Sequence, residues 1–389
     1  MRVLFVAHSY PQFPRDPVGS FILRLAVALR ARDVDVLVIA PAGPELAATD
    51  TYEGIPVHRF RYAPAKRQTL AYTGTMAVQV RGSWMGRLSL AGLLGAGVLA
   101  TRSAARRWAA AVVHAHWWFP GALIALGARP GLGFPVVTTL HGSDLRVARE
   151  GSSARRLFRA VARRSAALTT VSAWLAREAR QLAPELTPLV EPMPVAAELF
   201  HPGDQRDRDR LLFVGKLTPQ KGFPELLDAL RRMRRRPLVD IVVGTGSDAG
   251  EGRALAKAAG VAKQLHWHPL LEQAELAELY RRATALVMPS VDEGLGLVAV
   301  EALMCETPVV AFDSGGIGDS VLHQRTGLLV PPGDSAALAS ALDDLLSQPD
   351  QGAALGRAGR EYVLPRFAPE AVAARYADLY RRVSGPRTP

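Results

Sequence analysis

The sequence predicts an α/β chain of two domains built on parallel sheets, and three observations carry that prediction. Residues 285–320 (ALVMPSVDEGLGLVAVEALMCETPVVAFDSGGIGDS) open with an apolar run, Ala285–Pro289, and continue through an acidic, glycine-rich loop. An apolar helical run, Leu297–Cys305, follows, then a second apolar run, Thr307–Phe312, and a Gly315-Gly316 turn. Strand, glycine loop, helix, strand is the βαβ unit of a parallel sheet. The same pattern recurs near the start, where RVLFVA (2–7) and VDVLVIA (34–40) flank the stretch Gly19–Ala31, with Phe21, Leu25, Ala28 and Leu29 on one helical face. The third observation is length, because 389 residues exceed one comfortable core and suit two.

Two glutamates stand out in the first stretch. Glu293 lies in its loop, and Glu301 interrupts a run, Leu295–Cys305, whose other members are apolar or glycine. A helix starting near Gly296 puts the two carboxylates up to ~12 Å apart. A glycosidase-type acid/base pair needs roughly 5–9.5 Å, so the spacing better suits two acceptors at either end of an elongated, hydroxyl-rich ligand. The glycines let backbone N–H groups approach that ligand, and the helix N-terminus favours negative charge. A solvated loop acid and a helix-surface acid are the bland alternative.

Composition narrows the class. With 49% hydrophobic and 21% charged residues the chain is globular. One cysteine, Cys305, excludes an intrachain disulfide and fits a reducing, cytoplasmic setting. The apolar part of MRVLFVAHSY is too short for a signal peptide. The weakly polar stretch Leu88–Ala100 is shorter than the ~18–20 residues of a membrane span. Charge is uneven: residues 1–200 hold 24 Lys+Arg against 12 Asp+Glu, and the rest hold 23 against 24. No acid occurs between Glu53 and Asp144, a window with ten Lys and Arg residues. That asymmetry points to an anionic partner of the first half, a membrane surface before nucleic acid, since no nucleic-acid module is legible. Residues 66–108 carry Trp84, Met85, Leu88, Leu90, Leu93 and Leu94 among arginines. They read as amphipathic helix at a membrane-facing or acceptor-facing edge, or as an ordinary pair of surface helices.

Further along, His141 follows directly on the buried run Val136–Leu140 and so sits where strand ends meet a ligand. His114 and His116 show no metal-ligand spacing. The Pro/Gly-led, charged segment 201–210 reads as an interdomain linker, and its Asp207-Arg208-Asp209 is rejected as a metal site. Lys216 and Lys221, two of only five lysines, flank one strand-to-helix loop where their ammonium groups can neutralise a pyrophosphate. Gly244-x-Gly246-x-x-Ala249 matches a dinucleotide fingerprint, but no acid ends the next apolar run, which argues against a nicotinamide cofactor.

The stretch EGLGLVAVEALMCETPVVAFDSGG resembles the donor-site signature of the family-4 retaining glycosyltransferases, whose two glutamates are separated by seven residues. The likeness extends along nearly the whole chain. It implies the GT-B architecture, two facing Rossmann-like domains with parallel sheets: residues 1–200 for the acceptor, 201–366 for the nucleotide-sugar, and a helix in 367–389 packing back on the first. It implies transfer of a hexose from a UDP- or GDP-sugar, without a metal or other cofactor, to an acceptor hydroxyl, and the basic first half best fits a lipid-linked saccharide or glycolipid as that acceptor. By the same resemblance, Lys216 and Lys221 stabilise the leaving diphosphate, with backbone N–H groups near Gly19. Glu293 holds the sugar hydroxyls beside the amides of Gly294, Leu295, Gly296 and Leu297. Glu301 accepts from the ribose, and His141 orients the sugar. Departures are Val18-Gly19 in place of two glycines, Lys216 where arginine is common, Cys305-Glu306 for Cys-Gly, and Met193-Pro194-Val195 for Asn-Gly. A non-catalytic scaffold, an epimerase and a phosphorylase of the same fold remain alternatives.

Overall fold

The computed structural model describes residues 1–72, 74–244 and 248–385. It divides into two compact units, Met1–Pro194 with the segment from Pro369 onward, and Val195–Ala368. Unit 1 is built on strands β1 (Arg2–Val6), β2 (Asp35–Pro41), β3 (Thr49–Tyr52), β4 (Ile55–Phe60), β5 (Val112–His116), β6 (Val136–Leu140), β7 (Ala167–Thr170) and β8 (Leu189–Val190). Their order is β3-β4-β2-β1-β5-β6-β7-β8. Every pairing is parallel except the β3–β4 hairpin at one edge, which the expectation of purely parallel sheets had not included. Val3, Leu4 and Phe5 of β1 are fully buried, as a central parallel strand covered on both faces requires.

Unit 2 carries β9 (Arg210–Gly215), β10 (Leu238–Val243), β11 (Leu265–His268), β12 (Ala285–Met288), β13 (Val309–Phe312) and β14 (Gly327–Val330). Their order is β11-β10-β9-β12-β13-β14, and all pairings are parallel. Phe213, Phe223, Leu226, Ile241, Val287, Val310, Phe312 and Leu342 share one core on a face of this sheet. These are doubly wound sheets of Rossmann type.

Segment 201–210 is not a linker. The second unit begins at Val195, because the chain there is already bound into it: Phe200 is buried against the Tyr280 ring, and Arg281 donates to the Leu199 carbonyl at 3.0 Å. Arg206 donates to the Ala283 carbonyl, the Thr307 hydroxyl and the Cys305 carbonyl at 2.9, 2.7 and 2.7 Å. The charges that made the segment look solvated hold it in place. The chain returns to unit 1 with helix Pro369–Ser384, where the Tyr380 hydroxyl meets His114 Nδ1 at 2.6 Å and Tyr376 donates to the Glu191 carbonyl.

Helix Pro349–Phe367 has no counterpart in the sequence reading. Its glycines disguise it, yet they are what lets it pack. A Cβ on Gly356 would stand 1.7 Å from the Glu306 carbonyl oxygen, and one on Gly359 would stand 2.5 Å from Leu303 Cδ2. The helix thereby braces helix Leu297–Met304, which carries Glu301.

Candidate functional site

In unit 2 the strand order reverses between β9 and β12: β9 leads outward through β10 to β11, β12 through β13 to β14. Loops leaving the carboxyl ends of the two strands at such a reversal diverge and open a crevice where ligands bind in α/β sheets. Lys221 follows β9, Glu293 follows β12, and Gly315-Gly316 follow β13. The loops are fixed on one another by backbone. Gly222 has φ 70°, and a Cβ there would lie 1.9 Å from the Pro289 carbonyl oxygen. The Val291 N–H donates to the Gln220 carbonyl at 2.8 Å. Gly315 (φ 65°) would place a Cβ 2.4 Å from the Glu293 carbonyl oxygen, and the Gly316 N–H donates to that oxygen at 2.7 Å.

On this frame the Lys221 ammonium meets Glu293 Oε2 at 2.6 Å, with side chains 25% and 18% exposed. Both groups were expected to face ligand separately; they face each other. Helix Leu297–Met304 starts at Gly296, in the left-handed region at φ 77°, so its first N–H groups point to the same end of the sheet as Glu293. Leu295 is buried, which leaves its backbone to serve the loop. Glu301 sits in the second turn, where the buried Tyr280 hydroxyl donates to Oε2 at 3.1 Å. Burial, then the Glu301 charge, push the Tyr280 phenol well above its ordinary pKa, so it remains a donor that fixes the carboxylate. Lys216 is exposed at the end of β9, its Cγ packed near Gly244. The rest of the expected turn, Thr245 and Gly246, lies outside the described residues. Lys216, Lys221, Glu293, Gly294, Leu295, Gly296, Leu297 and Glu301 thus share one end of one sheet. A groove of about 470 Å³ at Arg206–Asp209, Thr284 and Pro308 lies by the amino ends of the strands, away from them.

Gly19 and His141 lie in unit 1, by the ends of β1 and β6. Gly19 (φ 74°) precedes helix Ser20–Arg30 and would carry a Cβ 2.9 Å from the Tyr10 Cα, so glycine is required for this loop to close on itself. The buried Asp16 carboxylate accepts from the N–H groups of Gln12 and Val18, both at 2.9 Å, and sets that loop. His141 Nε2 lies 3.2 Å from His116 Nδ1, and its ring packs on Trp117 and Phe21 with centroids 4.4 and 5.3 Å apart. Burial, then the neighbouring histidines, hold His141 and His116 well below the usual imidazole range, so both rings are neutral. Asp144 accepts from the backbone N–H groups of His141, Gly142, Leu145 and Trp118, which fixes the turn presenting His141. His8 and Trp117 complete this ring cluster, with centroids 4.4 Å apart. They escaped the sequence reading, although His8 follows β1 just as His141 follows β6.

These buried groups give the domain an expected pH response. The His8 imidazole is held down at about 4 and His114 at about 3 by burial, against an ordinary 6.5. The unfolded chain therefore takes up protons below pH 6.5 that the folded one refuses, and stability is lost as pH falls from there. His8 alone accounts for about 3 kcal/mol over that window. Asp144 acts oppositely: burial raises its carboxyl from 3.8 to about 6, so its contribution declines as pH rises between those values. Four histidines outweigh one aspartate. Urea unfolding at pH 7 and pH 5 should show lower stability at pH 5, with His114→Gln reducing the difference.

A further cluster was also missed. Asp240 Oδ1 lies 3.0 Å from His266 Nδ1 and 2.7 Å from His268 Nε2, a set that could hold a metal ion. The alternation His266-x-His268 puts both rings on one face of a strand and is its signal. Arg210 already donates to both oxygens of Asp240, at 2.5 and 3.0 Å. Burial works to raise the Asp240 carboxyl, and the bonds from Arg210, His268 and His266 outweigh it, holding it at about 2. Asp207 is paired with Arg210 and Arg282, and Asp209 with Arg235.

Comparison with known proteins agrees with the two Rossmann-like units. Residues 18–191 match the model of the glycosyl transferase 4-like domain, and residues 197–362 match that of glycosyl transferases group 1. A D-inositol 3-phosphate glycosyltransferase of Thermobispora bispora is 35% identical over 301 residues, 69% of this chain and 70% of that protein. Among solved structures, the sucrose-phosphate synthase of Thermosynechococcus elongatus superposes with a TM-score of 0.83 at 22% identity, over 98% of each chain. Anabaena Alr3699/HepE in complex with UDP and glucose superposes with a TM-score of 0.72 at 19% identity, over 98% of this chain and all of that one. With both Rossmann-like units matched in order, the chain belongs to the family-4 retaining glycosyltransferases, enzymes of the GT-B fold that use nucleotide-sugar donors.

Proposed function

We propose that the enzyme transfers a hexose from UDP- or GDP-sugar to an acceptor hydroxyl, retaining the anomeric configuration. We propose further that the acceptor is a lipid-linked saccharide or glycolipid of cell-surface polysaccharide synthesis, met at the inner face of the membrane by a cytoplasmic, peripherally bound enzyme. The observation that carries the donor reading is the Lys221–Glu293 pair at 2.6 Å, at the strand reversal of unit 2. On this reading the ammonium is held ready for an arriving diphosphate, and Glu293 balances it until then. On that reading the bond from the anomeric carbon to the diphosphate oxygen breaks as a sugar cation develops. Lys216, Lys221 and backbone N–H groups, among them those near Gly19, stabilise the departing charge. Glu293 and the amides of Gly294–Leu297 hold the sugar hydroxyls, Glu301 holds the ribose, and neutral His141 orients the sugar. The acceptor oxygen bonds to the same face of the anomeric carbon, and its proton passes to the leaving phosphate oxygen, so no covalent nucleophile is required. The lysines supply the charge that a divalent cation would otherwise supply. The acceptor reading rests on the acid-free, arginine-rich window from Gly54 to Ser143.

The test is product analysis with UDP-glucose and GDP-mannose, glycolipid and free-saccharide acceptors, and a chelator. A new axial glycosidic linkage formed with the chelator present is the expected result. Sugar 1-phosphate released from the saccharide when inorganic phosphate is added would indicate a phosphorylase, an altered donor sugar an epimerase, and no turnover with any donor a scaffold.

A further inference from the structure

Helix Trp84–Arg107 leaves three large apolar residues, Trp84, Leu88 and Leu99, exposed. A helix resting on a soluble domain ordinarily turns its large apolar residues inward and its polar ones to water. Here the buried positions are Gly86, Leu93, Gly97, Thr101, Ala104 and Ala105, mostly small residues on one face. They let the helix lie close: a Cβ on Gly86 would meet the Gln79 carbonyl oxygen at 2.1 Å, and one on Gly97 would meet Ile124 Cδ1 at 2.7 Å. The opposite face repeats every three or four residues as Trp84, Leu88, Ala91, Gly95, Leu99, Arg102 and Arg106, all exposed. Trp84, Leu88 and Leu99 are 68%, 58% and 69% exposed, and Val78 of the preceding helix, Met76–Gly82, is 72% exposed. The helix is long and apolar enough to cross a membrane, and only 28% of its apolar window is buried. This exceeds the span length expected from the weakly polar stretch alone, since the helix gathers both flanks. Its glycine face is nevertheless seated on unit 1, which suits a helix lying along a surface.

Charge identifies that surface. The apolar stripe runs about 22 Å from Trp84 to Leu99, with Arg87 beside its start and Arg102, Arg106 and Arg107 beyond its end. Arg81 pairs with Glu150, and Arg102 caps the Ala128 and Pro130 carbonyls, while Arg87, Arg106 and Arg107 stay exposed. We propose that this stripe is the membrane-contact surface, lying in the interface of an anionic bilayer. Trp84, Leu88 and Leu99 enter the acyl boundary, and Arg87, Arg106 and Arg107 reach lipid phosphates. The inference rests on the membrane part of the proposed function and names the surface responsible.

The test is flotation of the full chain with phosphatidylcholine vesicles, with and without about one-third phosphatidylglycerol. Binding is expected only to the anionic vesicles. Arg87→Gln and Arg106→Gln should each lower partitioning about fivefold, and the triple variant Trp84→Ser, Leu88→Gln, Leu99→Gln should abolish it. All variants should keep the wild-type circular dichroism and sedimentation coefficient. Equal binding of the triple variant, or no binding of wild type, would overturn the proposal. A wild-type dimer that the triple variant dissolves would also overturn it, assigning the stripe to a second copy. Transfer to a soluble acceptor is measured separately, so a wild type that turns over but does not bind vesicles refutes the surface and leaves the reaction standing.

Discussion

Lys221→Ala is expected to lower the transfer rate by about 10²–10³-fold, the range found when one charge-stabilising donor is removed from a transition state. The ammonium's work grows as the diphosphate departs, so the loss should fall on kcat more than on KM. The substitution also leaves the Glu293 carboxylate, 18% exposed, without its partner at 2.6 Å. Lys221→Arg restores the charge with a different shape and should recover only part of the rate. Steady-state kinetics of both variants check this, and an unchanged kcat in Lys221→Ala would remove Lys221 from the leaving-group role.

Gly315→Ala should be nearly as damaging without touching a charged group. The residue lies at φ 65°, and its Cβ would press to 2.4 and 2.6 Å from the Glu293 carbonyl oxygen and nitrogen. Neither atom can yield without carrying Glu293 with it. A displacement near 1 Å costs on the order of 10²-fold in rate, so kcat/KM should fall by about that much. Gly333→Ala is the control: φ is 78°, yet no atom of the described residues lies within 4 Å of the added carbon. It incurs the same backbone strain and should leave turnover near wild type. Equal effects of the two variants would show that strain, rather than the position of Glu293, governs the result.

The two sheets were legible because central parallel strands are continuous apolar runs, and glycine loops mark their ends. The glutamates were legible because Glu301 interrupts an apolar helix. What stayed hidden was pairing across long separations. Lys221 and Glu293 are 72 residues apart, and nothing local shows that their side chains meet. Arg206 looked solvated because its partners, Ala283, Cys305 and Thr307, lie far along the chain. Helix Pro349–Phe367 was lost because Gly352, Gly356 and Gly359 depress helix propensity, a penalty that close packing overrides. Helix Trp84–Arg107 has too weak an apolar contrast for periodicity to reveal which side is buried.

The carboxyl end of the second sheet is proposed to bind a nucleoside diphosphate with Glu301 on its ribose. Thermal unfolding with UDP, GDP, ADP and dTDP, on wild type and Glu301→Ala, tests it most directly. A ligand at about 100 times its dissociation constant adds roughly 2.7 kcal/mol. One nucleotide should give that gain in wild type, and the variant should lose most of it. No stabilisation of wild type by any nucleotide at millimolar concentration, or an equal gain in the variant, would contradict it.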